Sequence, residues 1–219
     1  TQNHTMIYDV MNKKFSLSKK LNFKRWYGSV VITGDEKMFI FGGRDAPTGK
    51  ISTTPEVIDL KNIDQGWKAL EQADSNDLFG KKDENEWIYP RTFLSSDGNI
   101  VGISYNKTWV MDVNNNYRVS KTGEIPLVKS GISKILEHSN PNSDDNKKDH
   151  LKLLTVGSAV GYSNSVVMIE KDKILVFGGR QQGKEYSPSN KVFLIDFSDS
   201  FKPQIKELKS MNFARSNGN

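Results

Sequence analysis

The sequence predicts an all-β chain built from one repeated four-stranded unit, and three observations carry that prediction. The first is a recurring hairpin, SVVI (29–32) and MFIFGG (38–43) around a polar turn at Gly34, Asp35 and Glu36. It returns as SVVM (165–168) and ILVFGG (174–179) around Glu170, Lys171 and Asp172. A degenerate copy, TFL (92–94) and NIVGI (99–103), turns at Ser96, Asp97 and Gly98. Two short apolar runs about a tight polar turn are the signature of a β-hairpin. The second observation is an apolar run, an Asp and one more apolar residue: MIYDV (6–10), EVIDL (56–60), WVMDV (109–113) and FLIDF (193–197). The third is the pair of glycines closing two of the hairpins, Gly42-Gly43 and Gly178-Gly179.

Taken in order, each unit has a first and a second apolar strand, then a third strand ending on Asp. A polar turn and a fourth strand follow, for which Phe15, Trp67, Tyr117 and Ile205 are the expected anchors. Four-stranded units of about 40–50 residues with Gly-Gly after the second strand describe a Kelch-type β-propeller blade. Inner strands of such a blade are expected to be apolar on both faces, because neighbouring blades sandwich them. Gly-Gly ends a strand where a residue without Cβ takes a turn or a close approach. Asp9, Asp59, Asp112 and Asp196 are expected to hold turn amides through their carboxylates. Gly42, Gly43, Gly178, Gly179 and these four aspartates are therefore read as structural.

The expected organisation is a single partial propeller domain over 1–219. It comprises a blade remnant (1–22), blades at 23–75, 87–123 and 157–210, an inserted polar loop (124–156), and the start of a next blade (211–219). A propeller needs about four or more blades to close, so an arc of a larger ring is expected. Within the loop, EHSNPNSDDNKKDH (137–150) is rich in Asn, Asp and Lys.

Composition bounds the function. With 36% hydrophobic and 10% aromatic residues the chain is globular in type. No apolar run approaches the ~18 residues that span a bilayer, so no membrane partner is expected. The formal charge is +5, yet the lysine pairs at 13–14, 19–20, 81–82 and 147–148 are scattered. They form no stripe with interleaved aromatics, so no nucleic-acid partner is expected either. Cysteine is absent, which removes a disulfide framework and thiol catalysis. Two glycosylation triplets occur, at Asn3 and Asn106.

Candidate chemistry is sparse. His4, His138 and His150 share no metal-ligand spacing. There is no nucleophile elbow, no phosphate-binding loop and no H-E-x-x-H helix. Arg44 and Arg180 each follow a Gly-Gly and are expected to bind carboxylates or carbonyls between blades. Tyr27, in KRWYGSV (24–30), is the one residue set apart: it starts an innermost strand at the rim of the axis, where propellers collect ligands. A buried tyrosine with its hydroxyl hydrogen-bonded is the alternative there.

The ordered set RWYGSV, an FxFGG strand, YPRTFLSSDGNI, GEIPLVKSG and VGSAV ahead of ILVFGG resembles the glyoxal oxidase and galactose oxidase family of copper radical oxidases, over roughly residues 5–216. The resemblance implies a seven-bladed propeller. It further implies oxidation of a small alcohol, aldehyde or carbohydrate substrate by O₂, with hydrogen peroxide as product, in a secreted or cell-surface protein. Copper in that family is held by two tyrosines and two histidines, one tyrosine being cross-linked to a cysteine and carrying the radical. Tyr27 matches the radical tyrosine and copper ligand. The other ligands, the cross-linked cysteine included, match nothing in these residues, so this chain alone is expected to hold no copper and to be inactive. Galactose oxidases place a tryptophan after the first Gly-Gly; here that loop reads Arg44, Asp45, Ala46, Pro47. The alternative is a non-catalytic Kelch propeller binding a glycan or a protein. In either case the remaining blades of the same protein are expected partners.

Overall fold

The computed structural model describes residues 3–80, 88–128, 157–158, 164–179 and 188–215. Strands β1 (Met6–Asp9) and β2 (Lys14–Leu17) pair as a two-stranded antiparallel ribbon. A four-stranded antiparallel sheet follows, β3 (Ser29–Ile32), β4 (Lys37–Phe41), β5 (Glu56–Asp59) and β6 (Lys68–Ala69), hydrogen-bonded in chain order. The second such sheet is β7 (Arg91–Leu94), β8 (Ile100–Ser104), β9 (Lys107–Asp112) and β10 (Arg118–Glu124). Short strands β11 (Leu127–Val128) and β12 (Gly157–Ser158) pair with each other. The third four-stranded sheet is β13 (Ser165–Glu170), β14 (Lys173–Phe177), β15 (Val192–Asp196) and β16 (Gln204–Glu207). Among the described residues helix is confined to one turn, α1 (Asn76–Phe79), capped by the Ser75 hydroxyl, which accepts from the Leu78 amide at 3.2 Å, and two 3₁₀ turns. None of these is long enough to cross a membrane.

The sheets are meanders laid face to face, so the chain is an arc of a β-propeller. The middle sheet is the only one of the three packed on both faces among the described residues. On one face Ile100, Trp109 and Met111 meet Phe39, Phe41 and Val57 of the first sheet, with Leu78 and Phe79 of α1. On the other, Val101, Ile103 and Val110 meet Ile174, Val176, Phe193 and Ile195 of the third. Every residue of β8 is therefore buried, whereas β14 and β15 alternate between buried and half-buried. Burial on both faces is seen in β8 and β9 of the middle sheet and over Glu56–Ile58 of β5, while β7 is half-buried throughout. Val30, Ile32, Val167 and Ile169 are exposed, since the sheets carrying them have a described neighbour on one side only.

Packing explains one glycine inside a strand. A Cβ on Gly102 would lie 2.2 Å from Cζ2 of Trp109 and 2.7 Å from the Arg91 carbonyl oxygen. Gly102 is therefore the space that Trp109 fills, and the indole Nε1 is satisfied by donating to the Ser104 hydroxyl at 2.9 Å.

Turn chemistry repeats as the pattern requires. Each third strand ends on its aspartate: Asp9 accepts from the Asn12 amide at 3.0 Å, Asp59 from Lys61 at 2.8 Å, and Asp196 from Ser198 at 2.9 Å. Asp112 accepts from both Asn114 and Asn115 at 3.1 Å. Gly42, Gly43, Gly178 and Gly179 all have positive φ, from 62° to 96°. A second set of carboxylates ties one sheet to the next. Asp97, in the β7–β8 turn, accepts from Ser200 of the third sheet at 2.7 Å, and Asp172 accepts from the Ser96 amide at 2.7 Å.

Candidate functional site

In an antiparallel meander the loop before the first strand and the loop after the second share one rim. KRWYG (24–28) precedes β3, Tyr89-Pro90 precedes β7, and Gly42–Asp45 follows β4, so all three lie on the rim opposite the hairpin turns. Innermost strands β3 and β7 are neighbours, and the Thr92 hydroxyl donates to the Val30 carbonyl at 3.3 Å. This adjacency brings residues 62 positions apart to one place.

The lead-in is anchored from below by a buried ion pair. Arg25 Nε donates to Glu56 Oε1 at 3.0 Å, and both side chains are fully buried. Arg25 Nη1 also donates to the Gly42 carbonyl at 2.7 Å, and Nη2 donates to the Thr54 carbonyl. Glu56 accepts in turn from the Asn22 amide at 2.6 Å, the Asn22 side chain at 2.8 Å and the Phe23 amide at 3.2 Å. Burial presses the Arg25 pKa down and the Glu56 carboxylate opposes that; a guanidinium stays charged nonetheless. Gly43 completes the seat, because a Cβ there would lie 3.0 Å from both the Arg25 Cβ and the Trp26 carbonyl.

Above this anchor the backbone turns sharply. Tyr27 has φ of 66° and Tyr89 of 43°, left-handed values that bulky residues rarely adopt. The Tyr89 amide donates to the Tyr27 carbonyl at 2.9 Å, locking the two turns together. The result is a column of rings. Trp26 stacks on Tyr27 with centroids 3.9 Å apart and planes 22° from parallel, and Tyr27 meets Tyr89 at 4.9 Å. Arg44 lies over Trp26 at 5.3 Å and Arg91 over Tyr89 at 5.9 Å. Trp26 and Tyr89 are exposed and Tyr27 is half-buried between them. Arg91 also donates to the Asn164 carbonyl at 2.9 Å, and burial lowers its pKa against the partial support of Tyr89.

Arg25 gathers carbonyls and a carboxylate, and the guanidinium of Arg44 lies over an aromatic face. Its backbone pairs with Trp26 in both directions, at 2.8 and 3.0 Å. The ring stacked on Tyr27 comes from the preceding residue and not from the loop after Gly-Gly. Tyr89 was missed as a site residue, and the signal for it was present: YPR stands before β7 as RWY stands before β3. Arg180, His138 and His150 lie outside the described residues. His4 is exposed on the ribbon side of the chain. Asn106 is buried in the β8–β9 turn, which leaves no room for a glycan in the folded chain.

No family model matches the chain, and no curated protein matches it in sequence. Among solved structures it is similar to a fungal alcohol oxidase of the AA5 family, in complex with copper, with a TM-score of 0.65 at 14% identity. That match covers 100% of this chain and 40% of the oxidase chain. The likeness is one of fold.

Whether these residues suit copper can be asked of their chemistry. Among the described residues no three of His, Cys, Asp and Glu gather in a way that could hold a metal ion. The sequence has no cysteine to join to Tyr27. A single phenol oxygen is one donor where copper takes several N, O or S ligands, so the described residues do not compose a copper site by themselves.

Proposed function

We propose that this arc belongs to the propeller of a galactose oxidase- or glyoxal oxidase-like copper radical oxidase, which oxidises an alcohol or aldehyde with O₂ to hydrogen peroxide. Tyr27 is the one ligand this chain contributes, and the remaining ligands come from outside it. By the same reading the protein is secreted and its ring has seven blades. The observation that carries the proposal is the placement of Tyr27, on the rim of an innermost strand, over a buried ion pair and between the rings of Trp26 and Tyr89. This chain's own residues seat Tyr27 and place the rings of Trp26 and Tyr89 against it.

The test is peroxide release by the full-length protein supplied with copper and offered methylglyoxal or galactose, wild type against Tyr27→Phe. Loss of peroxide in the variant is expected; equal activity removes Tyr27 from the reaction. A second reading, a non-catalytic propeller that binds a glycan, is favoured by the exposed rings of Trp26 and Tyr89, at 38% and 42%. It predicts no peroxide from either protein and glycan retention that falls in Trp26→Ala.

A further inference from the structure

The two arginines that stand closest to the innermost strands are built differently. Arg25 is fully buried, and the fold supplies its counter-ion, Glu56, at 3.0 Å. Arg91 is half-buried, and no carboxylate among the described residues pairs with it. We propose that Arg91 is a carboxylate-binding subsite, which holds the acid end of a small organic acid at the rim.

The partners of Arg91 are a carbonyl oxygen and a ring face. Its Nη2 donates to the Asn164 carbonyl at 2.9 Å, and its guanidinium carbon lies 5.9 Å from the Tyr89 centroid. A guanidinium has five N–H groups in a planar fork that matches the two oxygens of a carboxylate, and the Asn164 carbonyl engages one of them. None of the Arg91 nitrogens is both sealed from solvent and without a partner, so the remaining donors can be approached. Burial presses its pKa down, yet a guanidinium stays charged. A charge taken partly out of water without a counter-ion is costly, and an anion from solution relieves that cost. The placement of Arg91 gives such an anion a use. Tyr27, Tyr89 and Asn164 lead into β3, β7 and β13, the first strands of the three four-stranded sheets. Tyr27 meets Tyr89 at 4.9 Å, Tyr89 lies beneath Arg91, and Arg91 reaches Asn164, so one chain of contacts crosses all three lead-ins. The guanidinium is therefore one ring away from Tyr27.

The subsite stands on this chain alone. Its part in choosing a substrate rests on the oxidase reading, under which it favours an alcohol or aldehyde that also carries a carboxylate over a neutral one of equal size. Binding is read on the full-length protein freed of metal by a chelator. The probes are glycolate and its neutral counterpart ethylene glycol, followed by saturation-transfer nuclear magnetic resonance. Glycolate is expected to bind more tightly than ethylene glycol, and added sodium chloride weakens glycolate alone. Arg91→Gln loosens glycolate about tenfold, the equivalent of one charge-assisted hydrogen bond, and leaves ethylene glycol unchanged. Arg91→Lys keeps the charge without the fork, so its affinity for glycolate falls between the two, and it carries the test if Arg91→Gln does not fold in urea melts. Lys61→Met removes one positive charge beside the β3–β4 turn, on the opposite rim, and changes neither ligand. The subsite is overturned if Arg91→Gln holds glycolate as wild type does, if ethylene glycol binds as tightly as glycolate, or if Lys61→Met weakens glycolate as much as Arg91→Gln. With copper supplied, Arg91→Gln raises the KM for glycolate and not for ethylene glycol. Peroxide from neither alcohol in wild type removes the oxidase reading and leaves the binding result standing.

Discussion

Replacing Glu56 by Gln isolates the charge of the buried anchor, since the two side chains have nearly the same size. The two carboxylate oxygens face donors only: Arg25 Nε and the Phe23 amide on one, the Asn22 amide and side chain on the other. A carboxamide offers one acceptor and one donor, so either orientation turns an NH₂ group towards N–H groups. The Arg25 guanidinium is left as a buried charge without its counter-ion. Breaking a buried pair in this way costs about 3–5 kcal/mol. For a chain of this size that corresponds to a fall in Tm of about 6–20 °C. Unfolding by urea, followed by circular dichroism, gives the same difference as a shift in midpoint at constant slope. Added salt leaves the difference in place, because screening acts on exposed charges. The exposed Lys61–Glu36 pair, 3.6 Å apart, is the control, and Lys61→Met there costs no more than about 1 kcal/mol. A Glu56→Gln variant within about 1 kcal/mol of wild type would refute the account of Arg25 as an uncompensated charge.

Gly102→Ala drives a methyl group into Trp109 and is expected to cost at least the ~1–3 kcal/mol of an overpacked core; Trp109→Phe in the same chain restores part of it in urea melts. The Asp97 carboxylate would be pushed up by burial, but hydrogen bonds from Ser95, Ser200 and Asn99 together hold it below the usual range. A depressed folded-state pKa gives stability that is present above the unfolded value of about 3.9 and is lost as pH falls through the folded value. Thermal melts at descending pH should therefore show a smaller acid loss in Asp97→Asn than in wild type. Ser200→Ala removes the donor that joins Asp97 to the third sheet, and should raise exchange of the β15–β16 amides while leaving those of β3–β4 unchanged.

The repeat was readable because each blade is specified locally. An apolar pair of runs around Gly34-Asp35, Asp97-Gly98 or Asp172 forms its own hairpin, and Asp after the third strand organises its own turn. Trp67 and Tyr117, read as anchors of fourth strands, stand one residue before β6 and β10, an error of the size local patterning leaves at strand ends. What could not be read depends on residues distant in sequence. Nothing in EVIDL marks Glu56 as buried, since its partners Asn22, Phe23 and Arg25 lie more than thirty positions away. The same holds for Tyr27 and Tyr89, whose meeting requires that β3 and β7 be neighbours. Burial on one face or two was also hidden, because alternation in a single strand says nothing about how many sheets lie beside it.

The unequal burial of the three sheets has a kinetic consequence. In a linear stack, stability is close to a sum of unit terms and nearest-neighbour interfaces, so a unit with two interfaces outlasts a unit with one. Among the described residues β8 and β9 are packed against a sheet on each face, and their amide hydrogens should be among the last to exchange. Because most strand pairs join consecutive segments, the central meander can assemble before either flank and offer both faces as a template. Phe39 and Phe41 of the first sheet are completed by Phe79 and Trp109, which emerge later in synthesis, and until then those two rings are open to association with other chains.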